Sequence, residues 1–279
     1  MTRRYVSWNV NGIRACLRKG FLDWLATSQA DVVGLQETRC HDEDLPEILR
    51  RVPGYRHAHW VQASSRRGYS GVALLTKRPP LSVETSLGDE RWDREGRFQL
   101  ARFADVAVAN VYFPKGSGTN RDNSRVPYKL EFTERVFEVL RRERRRHGLP
   151  IVLMGDFNIA PQPIDLARPR GNETTSGFLP EERALYARCV GRTWVDSWRA
   201  LNPDGVKYTW WSNRIGVRER NIGWRIDHVL VTADLLPRVV RAFVWDHVRG
   251  SDHCPVGIDV SDTERRARAA SLADLPRSS

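Results

Sequence analysis

The sequence predicts an α/β fold in which two β-sheets pack face to face and helices cover them. Three observations predict it. Short apolar runs that read as strands recur along the chain, with helical segments interspersed. Some of these strands adjoin without an intervening helix, as 98–103 and 106–112 do around Ala104-Asp105. An all-parallel, doubly wound sheet accommodates such pairs less well. No linker divides the chain and no repeat is strong enough to name. A length of 279 residues with 41% hydrophobic content is enough for one large α/β domain. That domain is expected to span 1–261, with 262–279 a flexible basic tail.

Residues 5–10 alternate and are rich in β formers, so they read as a strand that Asn9, Asn11 and Gly12 end in a turn. Phe21, Leu22, Trp24 and Leu25 have helical spacing over Phe21–Ser28. Residues 31–37 form a buried strand, 44–51 a short helix with Pro46 in its first turn, and 71–76 a third strand. After the paired strands comes a Gly/Ser/Asn-rich loop, 114–123. Residues 127–146 are helical through Leu130, Val136, Phe137, Val139 and Leu140; their Arg-rich end is a solvated last turn that suits the helix dipole. Residues 160–180 are irregular and 180–190 helical. Further strands are expected at 209–211, 226–231, Val239–Val244 and 256–260, with an Arg-rich loop between the first two.

Lys+Arg 45 against Asp+Glu 34 gives a net charge of +11 and a pI near 10.0, which favours polyanionic partners such as nucleic acid or an acidic membrane surface. Ten Trp supply aromatics for stacking or wedging against bases. Cys16, Cys40, Cys189 and Cys254 form no Cys-x-x-Cys, so a zinc site is not expected and free thiols in a reducing compartment are. No apolar run approaches the roughly 20 residues of a membrane span. The start of the chain has no signal-peptide architecture, so a cytoplasmic protein is expected.

The chemistry centres on Ile151-Val152-Leu153-Met154-Gly155-Asp156-Phe157-Asn158. A buried strand runs into Gly155, which permits a turn or a close approach, then into a carboxylate and a carboxamide two residues apart. Taken alone, Asp156 and Asn158 are better explained by an Asx turn that ends the strand. Asn9, Asn11, Glu37, Tyr112, Asp227, Asp252 and His253 also stand at or near predicted strand ends. Each has an ordinary explanation: Glu37 a surface ion pair, Tyr112 a half-buried strand residue, Asp227 a partner of Arg225, His253 a turn residue before Pro255. Together they require many coincidences. If the ends converge, Glu, Asp and Asn oxygens with a single His suit a hard cation such as Mg²⁺ or Mn²⁺. An acidic metal site in a net-basic protein fits phosphodiester hydrolysis, where the cation withdraws charge from the phosphate and a base activates water.

Seven motifs carry a resemblance: Ser7-Trp8-Asn9-Val10-Asn11-Gly12, Leu35-Gln36-Glu37-Thr38, Gly68-Tyr69-Ser70-Gly71-Val72-Ala73, Asn110-Val111-Tyr112-Phe113-Pro114, Gly155-Asp156-Phe157-Asn158, Gly223-Trp224-Arg225-Ile226-Asp227 and Gly250-Ser251-Asp252-His253-Cys254-Pro255. In this order the chain resembles the exonuclease III family of apurinic/apyrimidinic (AP) endonucleases, within the endonuclease/exonuclease/phosphatase superfamily. The resemblance implies a four-layer, deoxyribonuclease I-like α/β sandwich with its site at one rim. It implies Mg²⁺-dependent incision of duplex DNA 5′ to abasic sites, leaving a 3′-hydroxyl, with Mn²⁺ able to substitute and some 3′–5′ exonuclease and 3′-end cleaning. Glu37 would be the main metal ligand, helped by Asn11 and Asp252. Asp156 would orient or deprotonate water, and Asn158 would hold that water or the phosphate; both would lie close to the metal. His253, oriented by Asp227, would contact the scissile phosphate beside Tyr112, and Asn9 would support the cluster. Trp210 and Trp224 would wall a pocket for the bare sugar, which is cheap to extrude. Tyr69 and Arg214 would press into the grooves, and Arg66 and Arg67 would meet phosphates. The implied partner would be double-stranded DNA with abasic sites or blocked 3′ ends, bound by a monomer with no membrane role that would be associated with the nucleoid in a bacterium. Lys115 departs from a neutral amide common in relatives, and loops 116–125 and 160–180 have no firm counterpart. Two other readings are a general nuclease or a phosphatase of phosphoinositides or RNA on the same fold, and a DNA-binding relative with a broken acidic cluster.

Overall fold

The computed structural model describes residues 1–120 and 122–262. Fourteen strands run in chain order: β1 Thr2–Asn9, β2 Val32–Gln36, β3 His57–Val61, β4 Val72–Thr76, β5 Ser82–Glu84, β6 Phe98–Arg102, β7 Ala107–Tyr112, β8 Ile151–Asp156, β9 Trp194–Asp196, β10 Trp210–Trp211, β11 Gly223–Trp224, β12 Asp227–Thr232, β13 Val239–Val244 and β14 Val256–Ser261. One six-stranded sheet has the order β13-β14-β1-β2-β4-β3 and the other β5-β6-β7-β8-β12-β9, while β10 and β11 form a separate ribbon. Both large sheets are mixed. The pairs β1–β2 and β7–β8 are parallel, and their other pairings are antiparallel.

The sheets meet through Tyr5, Leu74, Val108, Met154, Val229 and Ile258, an apolar layer to which both contribute. On the far side of the second sheet, Phe132, Val136, Phe137 and Leu140 of the helix Val126–His147 pack on β7 and β8. On the far side of the first, Phe21, Trp24 and Leu25 of the helix Phe21–Ser28 pack on Trp8 and Val33. The result is the expected four-layer α/β sandwich. A polar bolt crosses its centre. Asn110 of β7 donates to the carbonyls of Leu35 and Ala73 in the opposite sheet at 3.1 and 2.9 Å, and accepts from Gln36 at 2.6 Å. Buried and paired on every side, it fixes how the sheets sit on each other.

Several elements differ from expectation. The helix near Pro46 is shorter: a 3₁₀ turn at Asp42–Asp44 precedes Glu47–Arg50, and Pro46 is the N-cap. β3, β5, β9 and β11 were not anticipated. β3, β5 and β9 are edge strands of three to five residues, and β3 is half-buried along its whole length, so none shows clean alternation. β10 covers only Trp210–Trp211. By contrast, β8 ends at Asp156 and Asn158 turns to φ 51, as an Asx turn closing the strand predicts. Residues 263–279, most of the expected tail, lie outside the described residues. No helix among the described residues is long and apolar enough to cross a membrane.

Candidate active site

Strand direction explains why the polar groups converge. β1 and β2 run parallel with Asn9 beside Gln36, and β7 and β8 run parallel with Tyr112 beside Asp156. All four strands finish at the same rim. β12 runs the opposite way and begins there, with Asp227 beside Asp156. β14 likewise starts at that rim, just after His253. The β10–β11 ribbon is tied on by bridges from Trp210 to His253 and from Trp224 to Leu166.

Asp156 lies at the centre and is fully buried. Its Oδ1 accepts from the Asn158 N–H at 2.8 Å, so the Asx turn is real, and it is also part of the site. Its Oδ2 accepts from Asn9 Nδ2 at 2.9 Å and from Asn158 Nδ2 at 3.3 Å. Asn9 Nδ2 also donates to Glu37 Oε2 at 3.0 Å, so one amide bridges two buried carboxylates. Asn11 donates to Asp252 Oδ1 at 2.8 Å, and Trp210 Nε1 to Asp252 Oδ2 at 3.1 Å. His253 Nδ1 donates to Asp227 Oδ2 at 2.9 Å, and its Nε2 stands 3.9 Å from Asp156 Oδ2. The Tyr112 ring is buried beside Glu37, with the Arg97 guanidinium 4.5 Å from its centroid.

The charges pull in separate directions. Burial pushes the Glu37 carboxyl up, but Lys115, Arg39 and the Asn9 amide outweigh it and hold the pKa at about 2. Burial, then the neighbouring Asp227 charge, raise Asp156 to about 7. His253 would be lowered by burial, yet the Asp227 carboxylate and its hydrogen bond raise it to about 9. A carboxyl that titrates near neutrality thus faces an imidazolium.

The donor set fits a hard cation, and the charge states indicate where. Asp156, Asp227 and His253 bring three potential ligand atoms within 4.8 Å of one another. A protonated imidazole is no ligand, however, so His253 and Asp227 serve better as a hydrogen-bonded pair. Glu37 is anionic and, with the Asn11–Asp252 pair, offers only oxygens. Those residues would hold the cation.

Two cavities adjoin this floor. One, about 200 Å³, is walled by Trp210 and Trp224, paired across the ribbon, and lined by Ile226, Gly177, Asn158 and His253. The other, about 380 Å³, is strongly cationic and holds Arg39, Arg66, Arg67, Arg97 and Arg125 around Glu37, Tyr69 and Tyr112. Lys115 and Ser117 line both. A larger cleft of about 790 Å³, beside Trp92 and Glu131, contains none of these groups.

The structure therefore brings together Asn9, Asn11, Glu37, Tyr112, Asp156, Asn158, Asp227, Asp252, His253 and both tryptophans. Asp227 does not pair with Arg225, whose partners are Asp165 and Asp196. Tyr69 lines the cationic cavity, but its hydroxyl is held by Arg97 at 2.7 Å. Arg67 is exposed and paired with Glu43 and Asp44. Arg214 is exposed beyond β10 and lines neither cavity. Arg39, Arg97 and Arg125 were not anticipated. Arg39 stands two residues from Glu37 and was legible as its counter-charge; Arg97 and Arg125 carry no local signal.

Residues 6–253 match the endonuclease/exonuclease/phosphatase family. The chain belongs to this family. It is 38% identical over 261 residues to an exodeoxyribonuclease of Bacillus subtilis (strain 168), covering 92% of this chain and 99% of that one. It is 37% identical over 255 residues to the DNA repair nuclease APEX1 of Danio rerio, covering 91% and 80%. Among solved structures, an AP endonuclease from Archaeoglobus fulgidus superposes with a TM-score of 0.81 at 30% identity, covering 94% of this chain and all of that one. These relatives place the chain in the exodeoxyribonuclease and AP endonuclease branch of the endonuclease/exonuclease/phosphatase family, as a hydrolytic nuclease.

Proposed function

We propose that this nuclease incises duplex DNA 5′ to abasic sites in a Mg²⁺-dependent reaction, with Mn²⁺ as a substitute, and leaves a 3′-hydroxyl. It acts as a monomer through a domain spanning 1–261, and the same centre processes blocked 3′ ends. One observation carries the reading: the buried Glu37/Asp156/His253 floor lies where a small aromatic pocket meets a cationic cavity. The aromatic walls of this small pocket suit the apolar face of a bare sugar, and on this reading Trp210 and Trp224 reject a nucleotide that still carries its base. The cationic cavity suits the phosphodiester backbone.

Glu37, with Asn11 and Asp252, would hold the cation, which would supply charge withdrawal at the phosphate. Asp156 takes a proton from the attacking water, and a pKa of about 7 suits a base working near neutral pH. The Asn158 carboxamide, fixed through Nδ2 on the Phe113 carbonyl and Asp156 Oδ2, holds that water or a phosphate oxygen. His253, kept protonated by Asp227, donates from Nε2 to the oxygen on which negative charge grows. Water attacks phosphorus in line, the bond to the 3′-oxygen breaks, and the phosphate stays on the abasic nucleotide.

The test uses two duplexes, one intact and one with a tetrahydrofuran abasic mimic. Nicking of the second alone is expected with Mg²⁺. EDTA should abolish it, and Asp156→Asn should lower it by about a hundredfold or more. Equal cutting of both duplexes would remove the specificity claim, and full activity in Asp156→Asn would remove the assigned base.

A further inference from the structure

A buried ion pair lies behind the aromatic pocket and braces the Asn158 turn from the side away from the cavities. Lys129, on the helix Val126–His147, meets Glu182, on the helix Pro180–Cys189, at 2.6 Å. Both side chains are shielded from solvent. Lys129 Nζ also donates to the Asn158 carbonyl at 2.6 Å. Glu182 accepts from the Ser176 hydroxyl at 3.1 Å and from the Gly177 and Leu179 N–H groups at 2.5 and 3.2 Å.

The pair thus joins two turns, one carrying Asn158 and one carrying Gly177, both in the left-handed region at φ 51 and φ 95. The Ala160 N–H donates to the Gly177 carbonyl at 2.8 Å and closes the loop between them. Gly177 itself lies against the pocket wall. A Cβ there would come within 3.0 Å of the Asn158 carbonyl and 3.4 Å of Trp224 Cζ3. Asn158, Gly177 and Trp224 therefore stack with little slack, and the ion pair holds the first two from behind.

Stability alone does not call for such a pair. Its surroundings include Phe113, Phe157, Ile159 and Tyr186. Apolar residues of similar volume in a buried ion pair's place are often neutral or stabilising. They could not hold one carbonyl and two N–H groups in fixed positions. We propose that the Lys129–Glu182 pair is a positioning device that fixes the width of the aromatic pocket and the presentation of Asn158, and thereby sets discrimination of a base-free sugar from an intact nucleotide. This inference rests on the abasic-site reading above.

The test compares the full-length wild type with a Lys129→Met/Glu182→Leu double variant and with Lys129→Arg, which keeps a cation with several donors. Thermal unfolding, hydrogen exchange over 172–180, and kcat/KM on the abasic-mimic and intact duplexes are measured. The double variant should stay folded while its Gly177 and Leu179 amides exchange about tenfold faster. Its preference for the abasic duplex should fall about tenfold or more, because small misplacements at a reacting centre are costly. Lys129→Arg should keep most of the preference. If the double variant does not fold, Glu182→Gln, which keeps the shape and loses the charge, is read by the same exchange and preference measurements. A folded variant with wild-type exchange and wild-type preference would overturn the proposal, as would lower stability and activity with an unchanged preference. A wild type that cuts both duplexes alike would instead refute the abasic-site function, while the exchange measurement still reports on the clamp.

Discussion

Asp227→Asn separates an electrostatic role for this residue from a merely structural one. The amide keeps the side chain's shape and one acceptor for His253 Nδ1, now 2.9 Å from Asp227 Oδ2. It removes the charge that raises His253 from the ordinary 6.5 to about 9, a tighter hold on the proton by roughly 3 kcal/mol. Burial then acts against the imidazolium, and its pKa falls back towards 6.5 or below. The same charge is also the main neighbour raising Asp156 to about 7, so that carboxyl falls as well. In the wild type, activity needs Asp156 deprotonated and His253 protonated, which gives a bell with limbs near 7 and 9. In the variant both limbs move to lower pH. Single-turnover nicking of the abasic-mimic duplex should drop about tenfold at pH 7.5 and recover on acidification, as expected for a His left unprotonated. Denaturation gives an independent reading. A group with a raised folded pKa adds stability that is full below 6.5 and lost as pH rises through about 9, so the wild type's advantage should shrink over that interval. A rate loss with an unmoved pH profile would refute this assignment of Asp227.

Lys115 makes no hydrogen bond or ion pair among the described residues, yet it is the largest positive influence on Glu37 and lines both cavities. Lys115→Gln should weaken duplex binding and reduce the slope of log affinity against log salt by about 0.9, the signature of one lost phosphate contact in a titration by anisotropy. Gly155→Ala would set a Cβ 1.8 Å from the Val111 carbonyl oxygen across β7–β8; loss of roughly 4 kcal/mol or more, seen as insoluble protein or an early thermal transition, is expected. Burial pushes the Asp196 carboxyl up, but Arg225, His228 and the Arg199 N–H together depress it, a contribution present above the unfolded pKa and lost as pH falls. Asp196→Asn should therefore cost on the order of 3–5 kcal/mol at pH 7, with the gap closing in acid denaturation curves.

Much of the site was legible because its chemistry sits in short motifs at strand ends. Asp156 and Asn158 are two residues apart, and Asp227 begins the strand that pairs with Asp156. What escaped the sequence depends on contacts between distant segments. Arg225 precedes Asp227 by two residues and was weighed as its partner. It turns instead to Asp165 and Asp196, because Asp227 belongs to His253. Lys129 carries no local signal on its helix, because its partners lie 29 and 53 residues away. Arg97 lies against the Tyr112 and Tyr69 rings, an arrangement that only the packing of β6 on β7 produces. Edge strands such as Ser82–Glu84 bury too little to leave a periodic trace.

The charge layout bears on how binding and hydrolysis divide. The walls are cationic, through Arg66, Lys115 and Arg125, whereas the floor gathers Glu37, Asp156, Asp227 and Asp252. A DNA backbone is drawn in by the walls over a range set by salt. A phosphate that reaches the floor meets carboxylates, offset by Arg39 on Glu37 and by the His253 imidazolium. A cation at Glu37 would remove most of the remaining repulsion where the phosphate must sit for attack. Binding should therefore draw mainly on the walls and hydrolysis on the floor. In EDTA, affinity for the abasic-mimic duplex measured by anisotropy should fall by about tenfold at most, while cleavage stops; the first is a change of roughly 1.4 kcal/mol. Affinity and cleavage lost in parallel would show that the cation, and not the basic wall, holds the substrate.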